Sequence, residues 1–183
     1  MPEIPAPDSR RPPSRSRLSR PGRLKTVRGF EPFVPPGARV LVLGSVPSRA
    51  SLEAGFYYAH PRNRFFRIIE RLCGRELQGV DERRQALADL KIALYDVIAR
   101  CQREGSADSA VRGVIPADIG ALARAHPSVR RIVTNGSLAG KLFRRYNPSC
   151  ALEIIHLPST SPANAARPLE DLFALYRRAL TEF

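Results

Sequence analysis

Apolar residues along the chain fall into short blocks separated by longer stretches of helical period. Arg39–Gly44 (RVLVLG), Ile92–Val97 (IALYDV), Arg131–Asn135 (RIVTN) and Leu152–His156 (LEIIH) are near-continuous apolar runs. Runs this short and this rich in Val, Ile and Leu predict strands, the first of them buried. Between them, Arg64–Cys73, Asp81–Leu90, Pro116–Ala125 and Ser137–Tyr146 read as helices, Pro116 suiting a first turn. Pro168–Leu180 closes the chain as an amphipathic helix with Leu169, Leu172, Phe173, Tyr176 and Leu180 on one face. Strands alternating with helices predict an α/β fold with a mostly parallel sheet covered on both sides. In such a sheet the strand ends near Gly44, Asp96, Asn135 and Leu157 share one rim, where open α/β sheets bind ligands.

Residues 1–28 break this pattern. They run MPEIPAPDSRRPPSRSRLSRPGRLKTVR, dominated by Pro, Ser and Arg, with eight basic residues against Glu3 and Asp8. So few apolar side chains cannot offset the entropy of ordering. The expectation is a disordered basic tail over 1–28 and a single domain over 29–183. The tail suits phosphate binding without sequence preference, or is an incidental extension. It lacks the apolar core of a secretory signal, and its prolines disfavour a transit-peptide helix. The whole chain carries a net charge of +13, which points to a polyanionic partner.

Other classes lose support. No apolar run approaches the roughly 18 residues of a membrane helix. Cys73, Cys101 and Cys150 show no CxxC spacing, and His60, His126 and His156 are dispersed, so no metal site is expected. Scattered cysteines fit reduced thiols and a cytoplasmic location. GxGxxG and P-loop patterns are absent, so no nucleotide cofactor is expected.

The chemistry concentrates in two loops. The first, LGSVPSRASLEAGFYYAHPRNRFF, holds adjacent tyrosines, a histidine, an asparagine and arginines after a buried strand. Tyr57 or Tyr58 can stack on a base, worth roughly 1–3 kcal/mol, or pack the loop onto the sheet. Asn63 can cap the helix that follows; its amide can also orient a water, which suffices when the leaving group departs early. Arg62, Arg64 and Arg67 can reach phosphates or stay solvated. The second loop, LPSTSPAN, places Ser159, Thr160 and Ser161 between two prolines, with Asn164 at its end. Such hydroxyls grip phosphates or form stiff turns. Asp96 and Asn135, at strand ends, are turn residues or base readers.

Both segments, with YDVIARCQREGSADS from Tyr95 and TNGSLAGKLFRRY from Thr134, resemble the uracil-DNA glycosylase superfamily, most closely its hypoxanthine-DNA (deoxyinosine) glycosylase branch. The resemblance covers nearly all of residues 30–180 and excludes the tail. It implies a three-layer α/β/α sandwich around a four-stranded parallel sheet, and a base flipped into a pocket at the strand ends. The turn Gly44–Ser48 corresponds to the first catalytic motif. Other branches carry an aspartate or asparagine there to direct the water; here Ser45 and Val46 stand instead. In the hypoxanthine branch the catalytic amide is expected in an NRFW-like stretch, which assigns it to Asn63. A mismatch-specific relative stacks an aromatic at the position of Tyr58. The histidine that often opens the second motif has Leu157 in its place. His156, one residue earlier, points the other way along a strand and is given no role. The common tryptophan after Phe65 is Phe66. No lysine lies in either motif to form a Schiff base, so a monofunctional hydrolase is implied.

The expectation is therefore a monomeric enzyme, without cofactor or metal, acting on double- or single-stranded DNA that contains deaminated bases. It would excise hypoxanthine and leave an abasic site. Asn63 would position the water and Tyr58 would stack on the base. Gly44, Ser45, Val46 and Pro47, with Asp96 and Asn135, would contact the base edge. Arg62, Arg64, Ser159, Thr160, Ser161 and Asn164 would hold the DNA. A uracil or mismatch-specific uracil glycosylase, a non-catalytic lesion binder, and a protein acting on RNA or free nucleosides are the alternatives.

Overall fold

A computed structural model describes residues 25–103 and 111–182. In chain order the elements are β1 (Lys25–Arg28), β2 (Val40–Gly44), α1 (Arg49–Ala54), α2 (Phe65–Cys73), α3 (Gly79–Asp89), β3 (Ile92–Asp96), β4 (Ile98–Arg103), β5 (Val111–Pro116), α4 (Ile119–Ala125), β6 (Arg131–Asn135), α5 (Ser137–Tyr146), β7 (Glu153–Leu157) and α6 (Leu169–Thr181). Four strands form a parallel sheet in the order β3-β2-β6-β7. Every residue of β2 and β6 is buried, as the apolar runs require of strands covered on both faces.

Side-chain alternation builds two cores. Val40, Val42, Ile92, Leu94 and Val133 face one layer, packing with Phe65, Ile68 and Ile69 of α2, Leu87 of α3, and Leu172 and Tyr176 of α6. Leu41, Leu43, Ala93 and Ile132 face the other, with Ile119 of α4 and Phe143 of α5. The result is the three-layer α/β/α arrangement. In register, Gly44 stands opposite Asp96 and Asn135 opposite Leu157, so the strand ends do share one rim.

A second, antiparallel sheet of order β1-β4-β5 was not foreseen. Its strand IARCQR alternates burial with exposure, and its pairing to β5 is interrupted by register shifts around Arg100, which blurs any period-2 signal. Two expectations are corrected by it. Lys25–Arg28, placed in the tail, pairs with Arg100–Arg103, because Val27 buries against Ile98 and Cys101. Residues 1–24 lie outside the described residues. Pro116 ends β5 instead of opening a helix; α4 starts at Ile119, where the Asp118 carboxylate accepts the Ala121 N–H at 2.7 Å. No helix among the described residues is long and apolar enough to cross a membrane.

Candidate active site

The rim of the parallel sheet opens into a cavity of about 520 Å³, within the roughly 300–1,000 Å³ of small-molecule sites. The turn after β2, the loop leading to α2, the end of β3, the start of α5 and the loop after β7 line it.

Gly44 is its closest point of approach. A Cβ there would overlap Asp96 Oδ1 and come within 3.3 Å of the Tyr58 hydroxyl. Only glycine lets the strand end pass beneath these two groups. Asp96 is 3% exposed, and its Oδ2 has no hydrogen-bond partner. Burial, which penalises the charged form, pushes its carboxyl up to about 7.

Tyr58 takes the left-handed conformation (φ 52°), which a side chain with a Cβ adopts at a cost of order 1 kcal/mol. Its ring lies against Phe65, centroids 4.4 Å apart. Burial, reinforced by Asp96, raises its phenol far above the ordinary range. The Asn135 amide lies near that hydroxyl without meeting hydrogen-bond geometry, so the hydroxyl has no partner. Its neighbour Tyr57 is core: it is 3% exposed and donates to the Glu31 carbonyl at 2.9 Å. Both tyrosines line the cavity; the Tyr57 hydroxyl is tied to the main chain and the Tyr58 hydroxyl is not.

Asn63 lines the cavity from the start of α2. Its Oδ1 accepts the Phe65 N–H at 3.0 Å, a local turn bond from the residue before the cap; the N-cap itself is Arg64, without a side-chain cap bond, which corrects the capping expectation. The turn bond fixes the amide and leaves a second Oδ1 lone pair and the NH₂ group uncommitted.

Several expected contacts have other partners. Arg64, expected on DNA, donates to the carbonyls of Thr160 (3.4 Å), Ser161 (3.0 Å), Asn164 (2.8 Å) and Arg167. It ties the loop after β7 to α2, and the Arg64 N–H to Thr160 carbonyl bond (3.0 Å) adds to the tie. Asn164 donates to the Ser159 carbonyl at 2.8 Å and does not line the cavity. Asn135 and Thr160 hold each other at both ends of the amide: Nδ2 donates to Oγ1 and Oδ1 accepts the Thr160 N–H, each at 2.9 Å. That latch uses one hydrogen of Nδ2 and one lone pair of Oδ1, and Asn135 lines the cavity. Arg62 is exposed and outside the cavity lining. Ser45, Val46, Pro47, Ser159, Thr160 and Ser161 all line it. His156 faces away: its Nδ1 bonds Thr134 Oγ1 at 2.7 Å, and Arg144 donates to its Nε2 at 3.0 Å. Burial and Arg144 lower its pKa.

Residues 31–181 match the profile of the uracil DNA glycosylase superfamily. The chain belongs to this superfamily. It is similar to the Hypoxanthine DNA glycosylase of Methanosarcina acetivorans, 34% identical over 142 residues, covering 75% of this chain and 87% of the relative. The Hypoxanthine DNA glycosylase of Methanosarcina barkeri is 31% identical over 116 residues, 62% of this chain and 73% of the relative. A solution NMR structure from Methanosarcina acetivorans, described as a candidate uracil DNA glycosylase, superposes with a TM-score of 0.73 at 29% identity; the match covers 85% of this chain and 99% of that one.

As a superfamily member the chain is a DNA glycosylase, a hydrolase of N-glycosyl bonds with DNA as substrate. Around this glycosylase cavity, sequence reasoning missed Ser51 and Arg103. Ser51 is buried and joins Ser48 Oγ at 2.9 Å to brace α1. Arg103 lies in the family-like segment that starts at Tyr95, but on the unforeseen β4, and was given no role. Among the described residues no group of three or more His, Cys, Asp or Glu is placed to hold a metal ion.

Proposed function

We propose that the protein excises hypoxanthine from deoxyinosine in DNA, flipping the base into this cavity and hydrolysing its glycosidic bond to leave an abasic site. The observation that carries the reading is the meeting of Asn63, Tyr58 and the unpartnered Asp96 carboxyl in one cavity. The names of the two Methanosarcina relatives support the choice of base.

The Phe65 N–H holds the Asn63 amide, whose free lone pair accepts from a water and aims it at the sugar. An amide is too weak a base to take the proton early. The bond to the base therefore breaks ahead of attack, and the water adds to a cationic sugar. Tyr58, backed by Phe65, offers a ring face to the flipped base. Asp96, close to half-protonated at neutral pH, presents a donor and an acceptor together. That pair is complementary to the lactam N–H and C=O of a deaminated base. The enzyme acts as a monomeric single domain, and residues 159–161 hold the strand.

Uracil shares the lactam edge, and the NMR neighbour favours it as the second reading. Duplexes carrying deoxyinosine, deoxyuridine or deoxyxanthosine, incubated with the protein and then treated with alkali, test both. Strand cleavage at deoxyinosine is expected; faster cleavage at deoxyuridine would transfer the assignment to uracil. Duplex binding without any cleavage would make this a lesion binder.

A further inference from the structure

One wall of the cavity comes from outside the two chemistry-bearing loops. Arg103, the last residue of β4, is 3% exposed and lines the cavity with Val46, Pro47 and Ser48. Its Nη2 donates to the Pro47 carbonyl at 3.0 Å, and its buried Nε has no partner. No carboxylate among the described residues pairs with it. Directly across the ladder stands another cation, Lys25. Strands β1, β4 and β5 together carry Lys25, Arg28, Arg100, Arg103 and Arg112 and no acidic residue. A guanidinium keeps its charge at any working pH. Holding it out of water is strongly unfavourable unless an anion or a full set of acceptors replaces the lost hydration. One carbonyl does not.

Resting on the glycosylase reading, we propose that Arg103 is a phosphate-holding residue, its free N–H groups taking a phosphate oxygen of the strand that carries the flipped nucleotide. Arginine suits this task better than lysine because its planar fork engages phosphate at two points and still spares a hydrogen for Pro47. The same guanidinium then joins the bound strand to the Gly44–Pro47 turn. Substrate arrival tightens the segment that passes beneath Asp96 and Tyr58. The antiparallel sheet acquires a purpose: it carries a cation into the cavity from the side opposite the 159–161 hydroxyls' own strand, β7.

The test uses the full chain with Arg103→Met and Arg103→Lys, and a duplex containing one tetrahydrofuran abasic analogue. Binding is followed by fluorescence anisotropy from 50 to 300 mM KCl. Arg103→Met is expected to lose about tenfold in affinity, and its slope of log K against log salt to fall by about 1. Its melting temperature without DNA should hold or rise, since a buried unpaired charge is gone. Arg103→Lys should keep the slope and lose part of the affinity. Unchanged affinity and slope in Arg103→Met would overturn the assignment. So would a large drop in melting temperature with the salt slope intact, which would make Arg103 a brace for Pro47. If wild type neither binds nor cleaves any lesion duplex, the glycosylase reading itself falls. If wild type cleaves deoxyinosine and the Met variant binds equally well, only the Arg103 assignment falls.

Discussion

Replacing Asp96 by asparagine should change how stability depends on pH. In the folded protein burial raises the carboxyl from an ordinary 3.8 to about 7. The native state therefore holds a proton that the unfolded chain has already released between those values. Stability contributed by the protonated form is complete below about pH 4, declines as pH rises through 7, and is level beyond. At about 1.36 kcal/mol per power of ten in proton affinity, the decline is about 4 kcal/mol. An asparagine cannot ionise, so Asp96→Asn escapes it. Urea unfolding followed by circular dichroism from pH 4 to 8.5 measures the difference between the two proteins, in which all other titrations cancel. With a slope of roughly 2 kcal/mol per molar urea, the variant's midpoint should gain about 2 M on wild type across the range. Parallel pH curves for the two proteins would refute the claim that Asp96 is buried without a partner.

Further substitutions separate structure from chemistry at the other positions. Gly44→Ala sets a methyl against Asp96 Oδ1; it should cost about 1–3 kcal/mol in urea unfolding and reduce excision while duplex binding persists. Asn63→Ser keeps an oxygen able to accept the Phe65 N–H but removes the amide. Its melting temperature should match wild type within error, and single-turnover excision of hypoxanthine should fall about 10²-fold or more; wild-type turnover would remove Asn63 from catalysis. Arg64→Ala strips hydrogen bonds from four carbonyls, each worth about 1 kcal/mol net. Amide exchange across residues 159–167 should accelerate, with α5 unaffected. Thr160→Val breaks the Asn135 latch on one side and should destabilise by about 1–2 kcal/mol through an unsatisfied buried amide.

The parallel sheet was legible because VLVLG, IALYD and RIVTN are buried on both faces, and two-sided burial writes itself as continuous apolar sequence. β4 and β5 were not, because half-exposed strands bearing arginines resemble loop, and their pairing is irregular. The loops carrying Asn63 and Tyr58 were legible through the family resemblance, and the left-handed turn at Tyr58 was not. Asn135, Asn164 and Arg64 show the limit of reading polar residues near a site. Each has the chemistry to face DNA, and each is engaged within the protein, Asn135 and Arg64 by segments distant in sequence and Asn164 by its own loop. Asp96 did carry a signal: an acid ending an otherwise apolar run is either a turn residue or a buried carboxyl, and its opposition to a glycine decides between them.

The Arg64 clasp joins segments about a hundred residues apart in sequence. Local contacts can assemble α2 early, but Arg64 meets its carbonyl partners only after β7 has been made. On the ribosome, residues up to Arg167 must therefore be made before this clasp can close over the cavity. A chain terminated just after β7, at residue 158, would keep all four strands of the parallel sheet and lose the 159–163 wall of the cavity. Competence thus arrives later than the sheet, with the loop that follows β7.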